Sequence, residues 1–242
     1  MPVTGLVHAS MRAGPGTLAD TRPGCPAREQ TMLDRHISLD EWPRRAAMEH
    51  FRKMRHPSFS VTANVDVTGL RERAARHGAT PWLAYHHAAL EAANEIDAFR
   101  QTLMEDGVFE YAQVHASTTV LRDDGSFGIV NLLRGQDLAS FATTARPRAA
   151  QAKLAQGGLF SDSDALPPGA VLHLTTLPWL AFTSFTHARG EGDDRPKIAF
   201  GRMTAQSGGQ VMPVAVDVHH ALVDGVHVGR FFERLQAHLL AV

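Results

Sequence analysis

Polar and apolar residues alternate strictly over 59–67, with Phe59, Val61, Ala63, Val65 and Val67 on one face, which predicts a half-buried β-strand. Over 211–218 small or branched apolar residues dominate, as in a strand covered on both faces. Beyond it the period lengthens: Val228, Phe231, Phe232, Leu235, Leu239 and Leu240 recur at helical spacing, with Arg230, Glu233, Arg234 and Gln236 between them. Upstream, Ser38-Leu39-Asp40-Glu41 reads as a capping box for a short helix carrying Trp42, Arg45, Met48, His50 and Phe51, with Pro43 near its start. A helix over 68–77 is stopped by Gly78. Thr80-Pro81 opens a longer one to about residue 95, with Leu83, His87, Leu90 and Ala93 turned inward. Short strands are predicted at 108–114, 116–121 and 127–131, the last two joined by the Asp123-Asp124-Gly125-Ser126 turn. A helix over 137–154 and a loop over 157–169 precede strands at 171–176, 179–186 and 198–205.

Helices and strands interleave, but the last strands follow one another through short turns. The expected class is therefore α+β, a mixed β-sheet flanked by helices, in one domain over 36–242. Residues 1–35 lack steady apolar periodicity and are rich in Gly, Pro, Thr, Ala and Arg, so they are expected to form a flexible leader.

Charge narrows the partners. Lys+Arg 24 against Asp+Glu 25 gives a net charge of -1, which offers no electrostatic footprint for nucleic acid or an anionic membrane. The lone cysteine, Cys25, excludes an internal disulfide framework and agrees with a reducing cytoplasm. No run of eighteen apolar residues is present to span a membrane. The 14 histidines invite a metal site, but the adjacent pairs His86-His87 and His219-His220 lack chelating spacing, so no metal is expected.

The candidate chemistry lies where the last predicted strand turns into the last helix. There His220 and Asp224 stand four residues apart beside Gly225, a neutral imidazole able to take a proton and a carboxylate able to brace the turn. Serine hydrolysis would need an exposed nucleophile in a Gly-x-Ser-x-Gly elbow, and the chain has none. A base without an enzyme nucleophile points to direct transfer between two bound substrates.

The residues of this turn, His219-His220-Ala221-Leu222-Val223-Asp224-Gly225 and then His227-Val228-Gly229-Arg230-Phe231, resemble the HHxxxDG turn and following helix of the trimeric chloramphenicol acetyltransferase family. Two distant segments add to the likeness: Trp42-Pro43-Arg44-Arg45, and Thr175-Thr176-Leu177-Pro178-Trp179 with Ser184-Phe185 after it. The resemblance implies a CoA-dependent acyltransferase fold and a homotrimer whose acceptor pocket lies between subunits. It implies that His220 is the base, that Asp224 pairs with Arg44 to fix the turn, and that the Thr175 hydroxyl donates to the oxyanion. Phe51, Trp179 and Phe185 are implied to touch substrate. The implied reaction is acetyl transfer from acetyl-CoA to a small-molecule hydroxyl, for chloramphenicol its 3-hydroxyl, which confers resistance.

Where the family has an apolar segment after Phe185, this chain has the shorter and more polar residues 186–196; Ala199 replaces a threonine, and Met203 an aromatic residue. A related CoA acyltransferase with another acceptor is therefore a competing reading, and a catalytically silent trimer that sequesters a drug is another. His219 is expected to be structural, because adjacent strand-end imidazoles face opposite ways.

Overall fold

The computed structural model describes residues 33–155, 157–159 and 166–242. In chain order the elements are β1 (Arg35–Ser38), α1 (Arg45–Phe51), β2 (Ser58–Asp66), α2 (Leu70–Arg76), α3 (Pro81–Asn94), β3 (Gln101–Leu103), β4 (Gly107–Glu110), β5 (His115–Leu121), β6 (Phe127–Leu132), α4 (Leu138–Leu154), β7 (Val171–Thr176), β8 (Lys197–Phe200), β9 (Thr204–Gln206), β10 (Gly209–His219) and α5 (Gly225–Ala241). The main sheet runs β2-β10-β8-β7-β5-β6, with β9 also paired to β10, and a small sheet runs β1-β4-β3. Within the main sheet β7 is parallel to both β5 and β8, while the remaining pairs are antiparallel. The sheet is thus mixed, as the sequence predicts.

The helix α3 is the centre of the core. Thr80 caps it by accepting from the Leu83 amide (3.3 Å), and Pro81 occupies the first turn, where a missing amide costs nothing. Ten of its fourteen residues are buried, which explains its run of alanines: helix α5 and helix α4 both pack closely against it. His86 is fully buried there, with Nδ1 donating to the Trp82 carbonyl (2.8 Å) and Nε2 accepting from the Thr118 hydroxyl (3.0 Å). Helix α5 lays Val228, Phe231, Leu235 and Leu239 on the core.

The long strand β10, next to the edge strand β2, ends in the candidate turn. It pairs with β2 on one side over Val211 to His219 and with β8 on the other over Val214 to Asp217. The β9–β10 hairpin turns through Ser207 (φ 46) and Gly208 (φ 83), two left-handed residues that suit a two-residue turn.

Several expected elements change. The short helix begins at Arg45 rather than near Trp42, because Ser38 ends β1 and a turn carries the chain to Arg44. The strand expected over 108–114 ends at Glu110, and β1 and β3, too short for a periodic signal, border it. Residues 179–186 form no strand. They belong to the connection between parallel neighbours β7 and β8, and such a connection must leave the sheet plane before it can return. The strand expected over 198–205 breaks at Gly201, where a Cβ would meet Pro213 Cγ at 2.6 Å and the Leu180 carbonyl oxygen at 2.8 Å. Leu240 is 55% exposed and does not join the core stripe of α5. Cys25 and all but the last three residues of the expected leader lie outside the described residues, as do residues 160–165 of the 157–169 loop; Arg35 already belongs to β1.

Candidate active site

Trp42 is buried and fixes the chain just before α1, so that Arg44, the residue preceding the helix, points at the β10–α5 turn. Its guanidinium forks onto the Asp224 carboxylate, with Nη2 to Oδ1 at 2.8 Å and Nη1 to Oδ2. It also donates to the backbone carbonyls of His220 (Nη2, 3.2 Å) and Ala221 (Nε, 3.3 Å). One side chain therefore ties both ends of the turn. The Arg44 guanidinium, bonded to the Asp224 carboxylate, holds that carboxyl below its ordinary range, and it stays an anion at neutral pH. The Asp224 amide in turn donates to His227 Nδ1 (3.0 Å) at the start of α5.

The His220 imidazole is held by rings. Phe51 lies flat against it, with centroids 4.0 Å apart and planes 11° apart, and Phe59 packs at 4.6 Å. The His220 amide donates to the Pro57 carbonyl (2.7 Å), which fixes the backbone beneath the ring. Nδ1 stands 3.4 Å from Asp224 Oδ1, out of hydrogen-bonding alignment, while the side chain keeps 35% of its surface exposed. His219 is buried, and its Nδ1 accepts from the Ala221 amide (3.2 Å), a turn-forming role that agrees with the sequence reading.

Arg44, Asp224, His220 and Phe51 thus come together. Thr175, Trp179 and Phe185 do not join them. Thr175, near the end of β7, borders a cavity of ≈ 750 Å³ whose walls include Trp82, Val120, Leu121, Phe127 and Trp179, with Arg146 and Lys153 from α4; none of Arg44, His220 and Asp224 lines it. Trp179 is 53% exposed. Phe185 lies over β2, its carbonyl accepting from the Ser60 hydroxyl (2.8 Å).

Register gives the separation. Thr175 pairs with Ala199, which pairs with Ala215, and His220 follows Ala215 by five residues. Two strand spacings and five residues of rise put Thr175 and His220 about 19 Å apart in one chain. A single carbonyl cannot touch both.

Two features escape the sequence reading. Phe59 reads there only as a strand residue, yet it packs on the His220 ring. Asp217, Lys197 and His173 stand side by side on one sheet face. The available signal is a charged or polar residue in the middle of otherwise apolar strands.

A mixed sheet with α3 and α5 packed against each other, and a histidine turn at the end of its long inner strand β10, is the CoA-dependent acyltransferase fold. A solved Azotobacter vinelandii dihydrolipoamide acetyltransferase shares it, with a TM-score of 0.61 at 18% identity over 80% of this chain and 85% of that one. The family model for chloramphenicol acetyltransferase matches residues 32–236. A chloramphenicol acetyltransferase of Streptomyces acrimycini is 30% identical over 204 residues, covering 83% of this chain and 91% of that protein. Chloramphenicol acetyltransferase 2 of Escherichia coli is 27% identical over 208 residues, covering 83% and 94%. A solved chloramphenicol acetyltransferase superimposes with a TM-score of 0.75 at 28% identity, covering 86% of this chain and all of that one. The chain belongs to the chloramphenicol acetyltransferase family.

Proposed function

We propose that the protein is an acetyl-CoA-dependent O-acetyltransferase that works as a cytoplasmic homotrimer, with His220 of one subunit facing Thr175 of the next. The acceptor taken from its relatives' names is chloramphenicol, acetylated at the 3-hydroxyl, which would confer resistance. His220 removes the proton of the acceptor hydroxyl, and the oxygen attacks the thioester carbonyl. The Thr175 hydroxyl donates to the resulting oxyanion, a contribution typically of about a hundredfold in rate. The intermediate collapses, the C–S bond breaks, and the imidazolium returns the proton to the leaving CoA thiolate. The apolar cavity beside Thr175 suits the pantetheine arm, with Arg146 and Lys153 near enough to α4's surface to meet CoA phosphates.

The observation that carries this reading is the Arg44 clamp on the His220 turn, because it orients a base without consuming the ring. No helix among the described residues is long and apolar enough to cross a membrane. The test is thiol release from acetyl-CoA with chloramphenicol. Wild type should release CoA and His220→Ala should not, while retaining trimer mass and CoA binding. Equal release by the two proteins would defeat the assignment.

A further inference from the structure

Helix α5 starts directly after Asp224, and its third residue is a histidine. At that position a capping box ordinarily uses Glu or Gln, whose side chain reaches back to the amide of the capping residue. Here an imidazole does so: His227 Nδ1 accepts from the Asp224 amide (3.0 Å), while the His227 amide donates to the Asp224 carbonyl (3.0 Å). The Val228 amide meets the same carbonyl at 3.2 Å. With Arg44 on both carboxylate oxygens, every polar group of Asp224 is bonded, and the ring of His227 is what holds its amide. Little else packs on this corner. A Cβ on Gly225 would meet no atom within 4 Å, and Val226 is 57% exposed.

The amide contact differs in kind from the others. Nδ1 accepts only while it carries no proton, so the bond fixes His227 as the neutral ring protonated at Nε2. A second proton would set N–H against N–H in the first turn of the helix, where the dipole already disfavours a cation. The charged groups acting on the ring are Arg44 from the start of α1, Asp224 from the turn and Arg230 from α5, and His220 meets the same Asp224 carboxylate at 3.4 Å. Burial first, and then the Arg44 charge, hold the pKa of His227 below the ordinary 6.5. The path to the base is short. His227 fixes the main chain of Asp224, Asp224 fixes the guanidinium, and the guanidinium donates to the carbonyls of His220 (3.2 Å) and Ala221 (3.3 Å).

We propose that His227 is a positioning residue for the transfer reaction, its neutral ring holding Asp224 against Arg44 and thereby ordering the turn that aims His220. The proposal rests on the acetyltransferase reading. It gives the site a second group sensitive to acid, since protonating His227 loosens the turn whatever the state of His220.

The experiment compares full-length wild type with His227→Leu, which keeps bulk but cannot accept, and His227→Gln, which restores the usual capping-box acceptor and does not titrate. With acetyl-CoA and chloramphenicol at pH 8, His227→Leu should lose about tenfold in kcat, the worth of one hydrogen bond, with KM for both substrates within about twofold. His227→Gln should recover about a third of wild-type kcat or more. Between pH 8 and 5.5 the ratio of His227→Gln to wild type should rise by about threefold, because only wild type carries a brace that titrates. Hydrogen exchange at the Asp224 amide reads the bond without turnover: it should be slow in wild type and His227→Gln, and about tenfold faster in His227→Leu. If wild type releases no CoA, the acetyltransferase reading falls, while Asp224 exchange still decides whether the ring holds the turn. Equal exchange in wild type and His227→Leu overturns the proposal, as does a loss that falls on KM rather than kcat. So does a His227→Gln protein no better than His227→Leu, since the ring would then act by bulk alone. Should His227→Leu not fold, the wild-type and His227→Gln pH profiles decide, and parallel acid limbs overturn the proposal.

Discussion

Two inactive chains should make one active enzyme. His220 and Thr175 lie about 19 Å apart along the sheet of a single chain, whereas a base and an oxyanion donor must each come within about 3 Å of the reacting atoms. In the proposed mechanism a productive site then needs His220 from one subunit and Thr175 from the next. His220→Ala alone removes every base, and Thr175→Ala alone removes every hydroxyl donor and leaves about a hundredth of the rate. In a mixed trimer a site is whole when a Thr175→Ala chain supplies the histidine and a His220→Ala chain supplies the threonine. Random assembly of equal amounts in a threefold ring gives that arrangement at about a quarter of sites. Co-expression of the two variants should thus restore about a quarter of wild-type thiol release, far above either parent. Simple mixing of preformed trimers should restore nothing until subunits exchange. Activity no higher than the mean of the two parents, in trimers shown by mass to contain both chains, would refute a shared site.

Arg44→Ala removes four donor contacts from the His220 turn. Asp224 is 39% exposed, so the ion pair itself is discounted, and the expected loss is about 2–3 kcal/mol, or roughly 4–12 °C in Tm by scanning calorimetry. Turnover should fall more than acetyl-CoA affinity; Arg44→Lys, which keeps the charge but not the fork, should recover less than half of the lost Tm, and full recovery would show that charge alone suffices. Acid should destabilise the fold before its carboxylates titrate. His86 is held near a pKa of about 3 by burial, and His173, His187 and His219 near about 4, all below the ordinary 6.5. The unfolded chain therefore binds more protons as pH falls, so stability is full above about 6.5 and declines from there toward 4. His86, fully buried, should alone cost about 2 kcal/mol at pH 5, and urea unfolding that is flat from pH 7.5 to 5 would contradict this.

Much of the fold could be read because period and capping agreed with packing. The strand around Val65, the Thr80-Pro81 start of α3 and the stripe of Val228, Phe231 and Leu235 all appear where the pattern places them. What was not legible depends on topology. Residues 179–186 open on an apolar run, Trp179 to Phe182, like a strand, but no local rule says that β8 will lie parallel to β7 and exclude them. The site divides in the same way. Asp224 and Arg44 could be joined through motif resemblance alone, across 180 residues of sequence. Phe59 could not, since only the pairing of β2 with β10 brings its ring to His220.

That parallel connection links the fold to recognition. Because β7 and β8 run the same way, the chain after Thr176 must travel back along the sheet, and its path lays Trp179 by the cavity, Phe185 over Ser60 and His187 over Asp217. Beneath that path Ala199 stands beside Thr175 and Ala215 beside Ala199, both fully buried and too small to stand as high as the hydroxyl. His220 and Asp224 lie on the turn after β10, which Arg44 clamps from the start of α1. Residues 185–197 belong to a connection whose length and polarity can change without disturbing any strand pair. The His220 turn and the 185–197 connection thus belong to separate parts of the fold, one after β10 and the other between β7 and β8.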